Sequence, residues 1–496
     1  MKSAPYDAIV IGSGFGGAAA AHALAAGGKK TLVVERGDWA RRDDLDWDQR
    51  EILLKLRYRS DAPVLIKQYN DRKHKPFYPN AVVGGMSVFY GGASLRLRAA
   101  DFARWPLAYD DLEPYYSKSE QLLGVHGTAG QDPYDPPRSQ DYPFSPIEFS
   151  APAQRLWGGA QKLGYRPFKI PLAINFSDAD RPLCIRCITC DGFPCKIEAK
   201  NDLTTTLLKQ GQENRLDIMP GIVVNKLVQR NGRIVAAECI DKNTGRQFSL
   251  ESSLFIVAAG ALHSPALLLR SGLDGPCVGR YLMRHCNAVV SVVFPCRTNP
   301  DQVFHKQLCF SDFYEDMRAE LGTSVGVIQD IYTPSPEVVR HHAPWGLKRL
   351  AGMVSGCMQN LLCIAEDDPQ YDNCVELADE KDAFGLPLTK VTHAYSANDY
   401  RRLAHLKEKA RRVLRAAGGL IPYTHRIDSF SHAVGSVRCG TSPQESALDP
   451  DCRFWGVDNL YVLDGSALPT SGGVNPSLTI AANALRVADR IIAQGE

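Results

Sequence analysis

An α/β fold is predicted by two stretches at opposite ends of the chain and by its length. Near the amino end, "YDAIVIGSGFGGAAAAHALAAGGKKTLVVERG" reads as strand, glycine turn, helix and strand. Near the carboxyl end, "NLYVLDGSALP" reads as a short buried strand with its loop, and "NPSLTIAANALRVADRII" as a helix. A chain of 496 residues exceeds one simple core, so two domains or one large, insertion-laden unit are expected.

In the amino-terminal stretch, four apolar residues from Ala8 to Ile11 lead into Gly12-x-Gly14-x-x-Gly17, an alanine-rich helix and a second strand closed by Glu35. Gly12 permits the tight turn, Gly14 lets backbone N–H groups approach a pyrophosphate, and Gly17 lets helix and strand pack closely. The helix N-terminus favours the phosphate charge. Glu35 stands near the expected distance of about 20 residues, placed to accept hydrogen bonds from ribose hydroxyls. A Rossmann-like dinucleotide site is therefore predicted from Gly12, Ser13, Gly14, Phe15, Gly16, Gly17, Glu35 and Arg36. The motif alone does not separate FAD from NAD.

In the carboxyl-terminal stretch, the strand from Leu460 to Leu463 runs into Asp464, Gly465 and Ser466, a loop suited to contacting a cofactor. Asn475 and Pro476 open a helix, since proline is preorganised for the first turn, and Leu478, Ala481, Ala482, Leu485 and Ile492 repeat at helical spacing. Its N-terminus, at Asn475, Pro476 and Ser477, aims partial positive charge at whatever lies in front, and a reduced flavin suits that position.

Composition excludes several other classes. Hydrophobic content of 44% and charged content of 23% describe an ordinary globular protein, and a net charge of +2 with no block of five like charges gives no footprint of a nucleic-acid binder. "MKSAPYDAIVIGSG" enters a strand too soon to hold a secretory signal. "AGMVSGCMQNLLCIA" from Ala351 is shorter than the roughly 20 residues of a membrane span and holds Gln359 and Asn360, so a buried segment is expected. Fourteen cysteines without a leader predict a cytoplasmic protein with mostly reduced, buried thiols.

The chain resembles the glucose–methanol–choline (GMC) oxidoreductases nearly end to end. "VVGGMSVFYGGASLRLRAADFARWPLAYDDLEPYYSKSE" from Val82 looks like the family's first signature, and "AAGALHSPALLLRSGL" from Ala258 like its second. "GVNPSLTIAANALRVADRII" matches the closing helix, and His432 in "SHAVGSVRCG" falls where the family keeps its catalytic histidine. The resemblance implies an FAD-binding domain with a substrate domain built on an antiparallel sheet with helices. The expected division is 1–140, 200–292 and 431–496 for the discontinuous FAD domain, 141–199 for a connecting segment, and 293–430 for the substrate domain.

It also implies FAD-dependent oxidation of a primary or secondary alcohol, sugars and polyols among the candidates, with dioxygen or a redox partner as electron acceptor. His432 would take the hydroxyl proton while a hydride passes to flavin N5, and Asn475 would hold the substrate oxygen. Asn475 before a proline is also a good helix N-cap, and the two tasks compete for one side chain. Gly84, Gly85, Ser87, Ala259 and Gly260 join the cofactor set by motif position, and Val224 either flanks the adenine or is an ordinary core valine. "GGMSVFYGG" has no histidine, so non-covalent FAD is expected. His263 should border the cofactor, and His285, in "GRYLMRHCN", resembles a structural element. Tyr90, His305 and Trp345 stand near plausible loops without an assigned role. An FAD-containing lyase is the alternative activity, because fold does not fix function.

"CIRCITCDGFPC" places Cys184, Cys187, Cys190 and Cys195 close together. A loop of reduced thiols, with or without one disulfide, is expected; an iron–sulfur cluster and zinc are the alternatives.

Overall fold

The computed structural model describes residues 6–68, 71–304, 306–427 and 429–495; His305 lies outside them. The strands Ala8–Ile11, Thr31–Val34 and Leu254–Val257 are buried at every position. Strands covered on both faces belong to a parallel sheet between helical layers. They align in parallel with Leu460–Val462 beyond Leu254–Val257 and Leu216–Met219 beyond Thr31–Val34, so the first and last parts of the chain meet in one sheet.

Glycine makes that meeting close. A Cβ on Gly16 would stand 1.5 Å from the Leu463 carbonyl oxygen, and one on Gly17 would stand 2.0 Å from the Gly12 oxygen. The helices Phe15–Ala26 and Ser477–Gln494 then pack against each other across an alanine-rich seam.

A six-stranded antiparallel sheet forms the second layer, in the spatial order Ile421–Arg426, Cys286–Val293, Met358–Ala365, Gly326–Ile331, Leu308–Phe310 and Phe168–Lys169. One face buries Leu361, Cys363, Ala365 and Ile328 with residues of the helices Ala151–Gln161 and Ala397–Ala416. The other face, with Val327, Leu362 and Ile364, joins the core of the nucleotide domain.

Several placements differ from the expected division. Cys286–Val293 lies wholly in the six-stranded sheet, ahead of the boundary drawn at 292, and Phe168–Lys169 of the connecting segment is its edge strand. Cys374–Lys381 and Pro387–His393 instead form a separate sheet with Val64–Gln68 and Lys75–Phe77. Strand partnership is set by non-local pairing, which local pattern does not encode. The apolar run from Ala351 is divided between the helix Lys348–Val354, where Met353 is 80% exposed, and the buried strand Met358–Ala365. Among the described residues no helix is long and apolar enough to cross a membrane.

The glycine turn yields a contrast that thermal melting can read. Gly16→Ala should destabilise the protein by about 1–3 kcal/mol or more, because backbone must move to admit the methyl group. Gly14→Ala, with nothing within 4 Å of the added carbon and φ −69°, should melt near the wild-type temperature.

Candidate active site

The turn before helix Phe15–Ala26 has no side-chain cap, and the space in front of Gly14 is open. Uncapped N–H groups facing open space are the arrangement that takes a phosphate. The first-signature loop is clipped over this turn: Gly84 N–H donates to Ser13 Oγ (2.8 Å), and a Cβ on Gly85 would stand 3.1 Å from Gly14 Cα. Ser87 Oγ donates to the Gly84 oxygen at 2.7 Å and accepts from Leu203 N–H at 3.1 Å. Phe15 packs edge-on to Tyr90, whose hydroxyl donates to the Asn201 carbonyl.

Glu35 sits at the end of the second strand, buried, which pushes its carboxyl above the usual range while hydrogen bonds oppose the shift. One oxygen accepts from Ser13 N–H (3.0 Å) and Oγ (2.7 Å), the other from Gly37 N–H (2.8 Å). Beside Glu35, Arg36 Nε and Nη2 are buried without a hydrogen-bond partner, with Asp382 3.8 Å away. Orphaned donors next to an open glycine cradle fit the nucleotide half of FAD. His263 opens the helix His263–Arg270, and burial together with Arg36 and Arg270 pushes it down to about 3, leaving it neutral.

The other positions expected at the cofactor make bonds within the protein. Ala259 N–H donates to Ser264 Oγ (3.0 Å) and Gly260 N–H to Asp464 Oδ2 (2.8 Å), so both donors are spent within the protein. Asp464 also accepts from Ser264 Oγ and from the Ser466 N–H and hydroxyl, and it shapes the crossing. Gly465 lets the segment after His432 lie close, since a Cβ there would meet the Ala433 oxygen at 2.9 Å. Val224 is a buried core residue whose carbonyl accepts from Arg270. Ser477 Oγ reaches the Ala93 oxygen at 3.4 Å. The helix Ser477–Gln494 has Pro476 at its N-cap position without a side-chain cap, so Asn475 is free of capping.

Asn475 belongs instead to a chain of polar groups. Lys306 Nζ, paired with Asp191 at 2.8 Å, donates to Gln329 Oε1 (3.3 Å), and Gln329 Nε2 donates to Asn475 Oδ1 (2.6 Å). This fixes the Asn475 amide with Nδ2 toward His432 Nε2, 3.4 Å away. On its other side, His432 Nδ1 is 2.9 Å from His285 Nδ1, and His285 Nε2 faces the carbonyls of Ser471 (3.1 Å) and Gly472 (2.9 Å). Carbonyls only accept, so the neutral His285 ring carries its proton on Nε2 and offers a lone pair at Nδ1. His432 must then be protonated at Nδ1. Its Nε2 lone pair is left facing the amide donor of Asn475.

The rings are held firmly. His285 has φ +62°, a left-handed conformation strained for histidine, kept by its N–H on Asp367 Oδ1 (3.0 Å) and by Tyr395 OH on its carbonyl (2.7 Å). Burial, then the neighbouring His285 and Lys306, pushes His432 well below the ordinary histidine value. Burial likewise lowers His285, against Asp367.

Two family models described as GMC oxidoreductase match the chain, one over residues 6–287 and one over 369–484. The chain belongs to the GMC oxidoreductase family. It is 31% identical to a 6'''-hydroxyparomomycin C oxidase of Streptomyces lividus and 29% identical to a paromamine 6'-oxidase of Streptomyces fradiae, each alignment covering 98% of this chain and 91% of the relative. A 2-methyl-1,2-propanediol dehydrogenase of Mycolicibacterium austroafricanum is 27% identical, over 98% of this chain and 95% of that one. The GMC fold is shared with a formate oxidase (TM-score 0.73, 14% identity, 100% of this chain and 99% of that one). A pyridoxine 4-oxidase from Mesorbium loti superposes with TM-score 0.66 at 18% identity, covering 98% and 99%.

Within this GMC chain, Lys306, Gln329 and Asp367 carried no sequence signal strong enough to single them out. Gln329 is a buried amide in the apolar strand Gly326–Ile331, a pattern that could have marked it. His285 was expected to be structural, and the structure sets it directly against His432. Trp345, by contrast, is 91% exposed.

The four clustered cysteines are free and half-buried, and they line one narrow cavity with Lys200 and Phe304. Among the described residues no group of three or more metal-ligating side chains is arranged to hold an ion. Burial pushes the Cys184 thiol up to about 11 and raises Cys190 further. Lys200 Nζ ties the loop down through the carbonyls of Tyr90 (2.8 Å), Cys190 (3.1 Å) and Phe193 (2.7 Å).

The tautomer is open to direct measurement. With ¹⁵N-labelled histidine, His432 should show a protonated Nδ1 and a bare Nε2 at pH 6, with no change to imidazolium until well below 6.5; His432→Gln assigns the signal.

Proposed function

We propose that this protein binds FAD without a covalent link and oxidises an alcohol carbon, with His432 as the base. The observation that carries the reading is that the His432 Nε2 lone pair and the Asn475 Nδ2 donor lie 3.4 Å apart, so that one hydroxyl replacing their mutual contact would meet both. An alcohol hydroxyl needs both there: an acceptor for its proton and a donor for its oxygen. Gly14, Glu35, Arg36, Gly84 and Gly85 would hold the dinucleotide, which when bound supplies the acceptor for the hydride leaving the carbinol carbon. A first-signature loop without histidine supports the non-covalent link.

His432 Nε2 takes the hydroxyl proton, and the positive ring that results keeps its Nδ1–H on the His285 lone pair. His285 therefore holds the productive tautomer and steadies the charge. Lys306 polarises the Gln329 amide, which polarises that of Asn475, so Nδ2–H becomes a stronger donor to an oxygen gaining alkoxide character. Names of the relatives include oxidases and dehydrogenases of hydroxylated compounds, which supports dioxygen or a redox partner as the acceptor.

Anaerobic mixing with an alcohol panel tests the assignment. His432→Ala should slow flavin reduction by about 10²–10⁴-fold while flavin stays bound; reduction near the wild-type rate would remove His432 from the role. Asn475→Ala should cost about 10²–10³-fold.

The pH dependence follows from the depressed value of His432. The neutral ring is the base, so lowering its pKa keeps the active form populated as pH falls. Flavin reduction should therefore hold constant from pH 8 to pH 6 and decline only well below 6.5. An acid limb centred at or above 6.5 contradicts the reading.

A further inference from the structure

A cavity of about 490 Å³ lies at the end of the six-stranded sheet, reached by the strands Gly326–Ile331 and Met358–Ala365. Ile188 of the cysteine-rich loop and Phe304 wall one side, Ile331, Tyr332 and Asn360 line the sheet side, and Met353 of the helix Lys348–Val354 stands at the rim. The volume lies within the range of small-molecule sites. Arg297 and Gln302, both exposed, mark its mouth.

Asn360 gives the cavity a chemical preference. It is 4% exposed, and its Nδ2 donates to the Tyr332 carbonyl (3.1 Å) and to Thr333 Oγ1 (2.9 Å). Thr333 directs its own proton to the Met358 carbonyl (3.1 Å), so its oxygen can only accept from Asn360. The amide orientation is thereby fixed, and the atom left over is the carbonyl oxygen, buried and without a partner. Such an acceptor is costly unless something donates to it.

Register ties this acceptor to the active site. Gln329 pairs with Leu362 and Ile331 with Asn360, and alternate residues of a strand share a face. Asn360 therefore faces the same side as Gln329, which bonds Asn475, and stands one step of about 7 Å along the sheet from it.

We propose that this cavity is an outer subsite of the alcohol-oxidising site, and that the substrate is a saccharide-like molecule of more than one ring. The reacting carbinol lies at His432 and Asn475, while a second ring, bearing a hydroxyl or amino donor, occupies the cavity and donates to Asn360 Oδ1. Ile188 gives the cysteine-rich loop a function as wall of this subsite. The inference rests on the proposed alcohol oxidation and names its substrate class.

The test uses the holoenzyme with maltitol as neutral probe, paromamine as aminated probe and propane-1,2-diol as a probe too short to reach the cavity. Isothermal titration reads binding without turnover, and anaerobic flavin reduction gives kcat/KM. Wild type should bind at least one two-ring probe and prefer it over the diol, and the probe bound distinguishes hydroxyl from amine. Asn360→Leu should weaken that binding at least tenfold and lower the ratio of kcat/KM, two-ring probe over diol, by a similar factor. Ile188→Trp, which adds bulk at another lining position, should do the same if Asn360→Leu fails to fold. Diol-driven reduction with no two-ring binding overturns the subsite, as does an unchanged ratio in both variants. Two-ring binding that both variants weaken, with no flavin reduction by any alcohol, supports the cavity and overturns the oxidation reading instead.

Discussion

The carboxylate of Asp464 holds the architecture of the site together. It is buried, and it accepts from Gly260 N–H, from Ser264 Oγ, and from the N–H and hydroxyl of Ser466. A buried carboxylate is tolerable only with such donors around it, so the loops after Leu254–Val257 and Leu460–Val462 must close on it together. Gly16 then touches the Leu463 carbonyl from the other side. With that loop fixed, Gly435, Val437 and Cys439 bond to Gly465, Ser466 and Ala467. The segment carrying His432 is thereby laid along the same loop, within reach of Asn475.

The polar chain from Lys306 to the Ser471 and Gly472 carbonyls is directional. Each member has one arrangement of protons that satisfies both neighbours, and the carbonyls at one end and the ammonium at the other choose it. That is why a histidine pair, a common ambiguous motif, has a defined tautomer here. The strained backbone of His285 is the accompanying cost, held by Asp367 and Tyr395. The same chain reaches outward through Asp191 to the cysteine-rich loop, so that loop supports the Asn475 amide through Lys306 and Gln329 and also lines a cavity through Ile188. Its Cys184 and Cys190 thiols, raised by burial, suit a packed structural element better than a reactive one.

Much of the fold was legible locally. Ala8–Ile11 and Thr31–Val34 are buried apolar runs broken by a glycine turn, and that pattern depends only on neighbours in the chain. The glycine turn and the acid that closes it were legible for the same reason, since Gly12, Gly14 and Glu35 belong to one local strand–turn–helix–strand unit. Domain limits were less so: Cys374–Lys381 and Pro387–His393 look like any exposed hairpin, yet Pro387–His393 pairs with Val64–Gln68 from the far end of the sequence. Ala259, Gly260 and Asp464 stand in motif positions expected near a cofactor, and what the sequence could not show is that the two N–H groups and the carboxylate bond within the protein.

By itself the sequence determined the nucleotide turn, the buried parallel strands, the closing helix and the residue types available for chemistry, because these follow from spacing and from side-chain chemistry along a single stretch. Tertiary structure decided how those residues meet. Whether Asn475 caps a helix or faces His432 depended on Gln329, and which His432 nitrogen is bare depended on carbonyls at Ser471 and Gly472 reached through His285. Proton position and amide orientation are properties of a closed hydrogen-bond network, and that network exists only once distant strands have packed together.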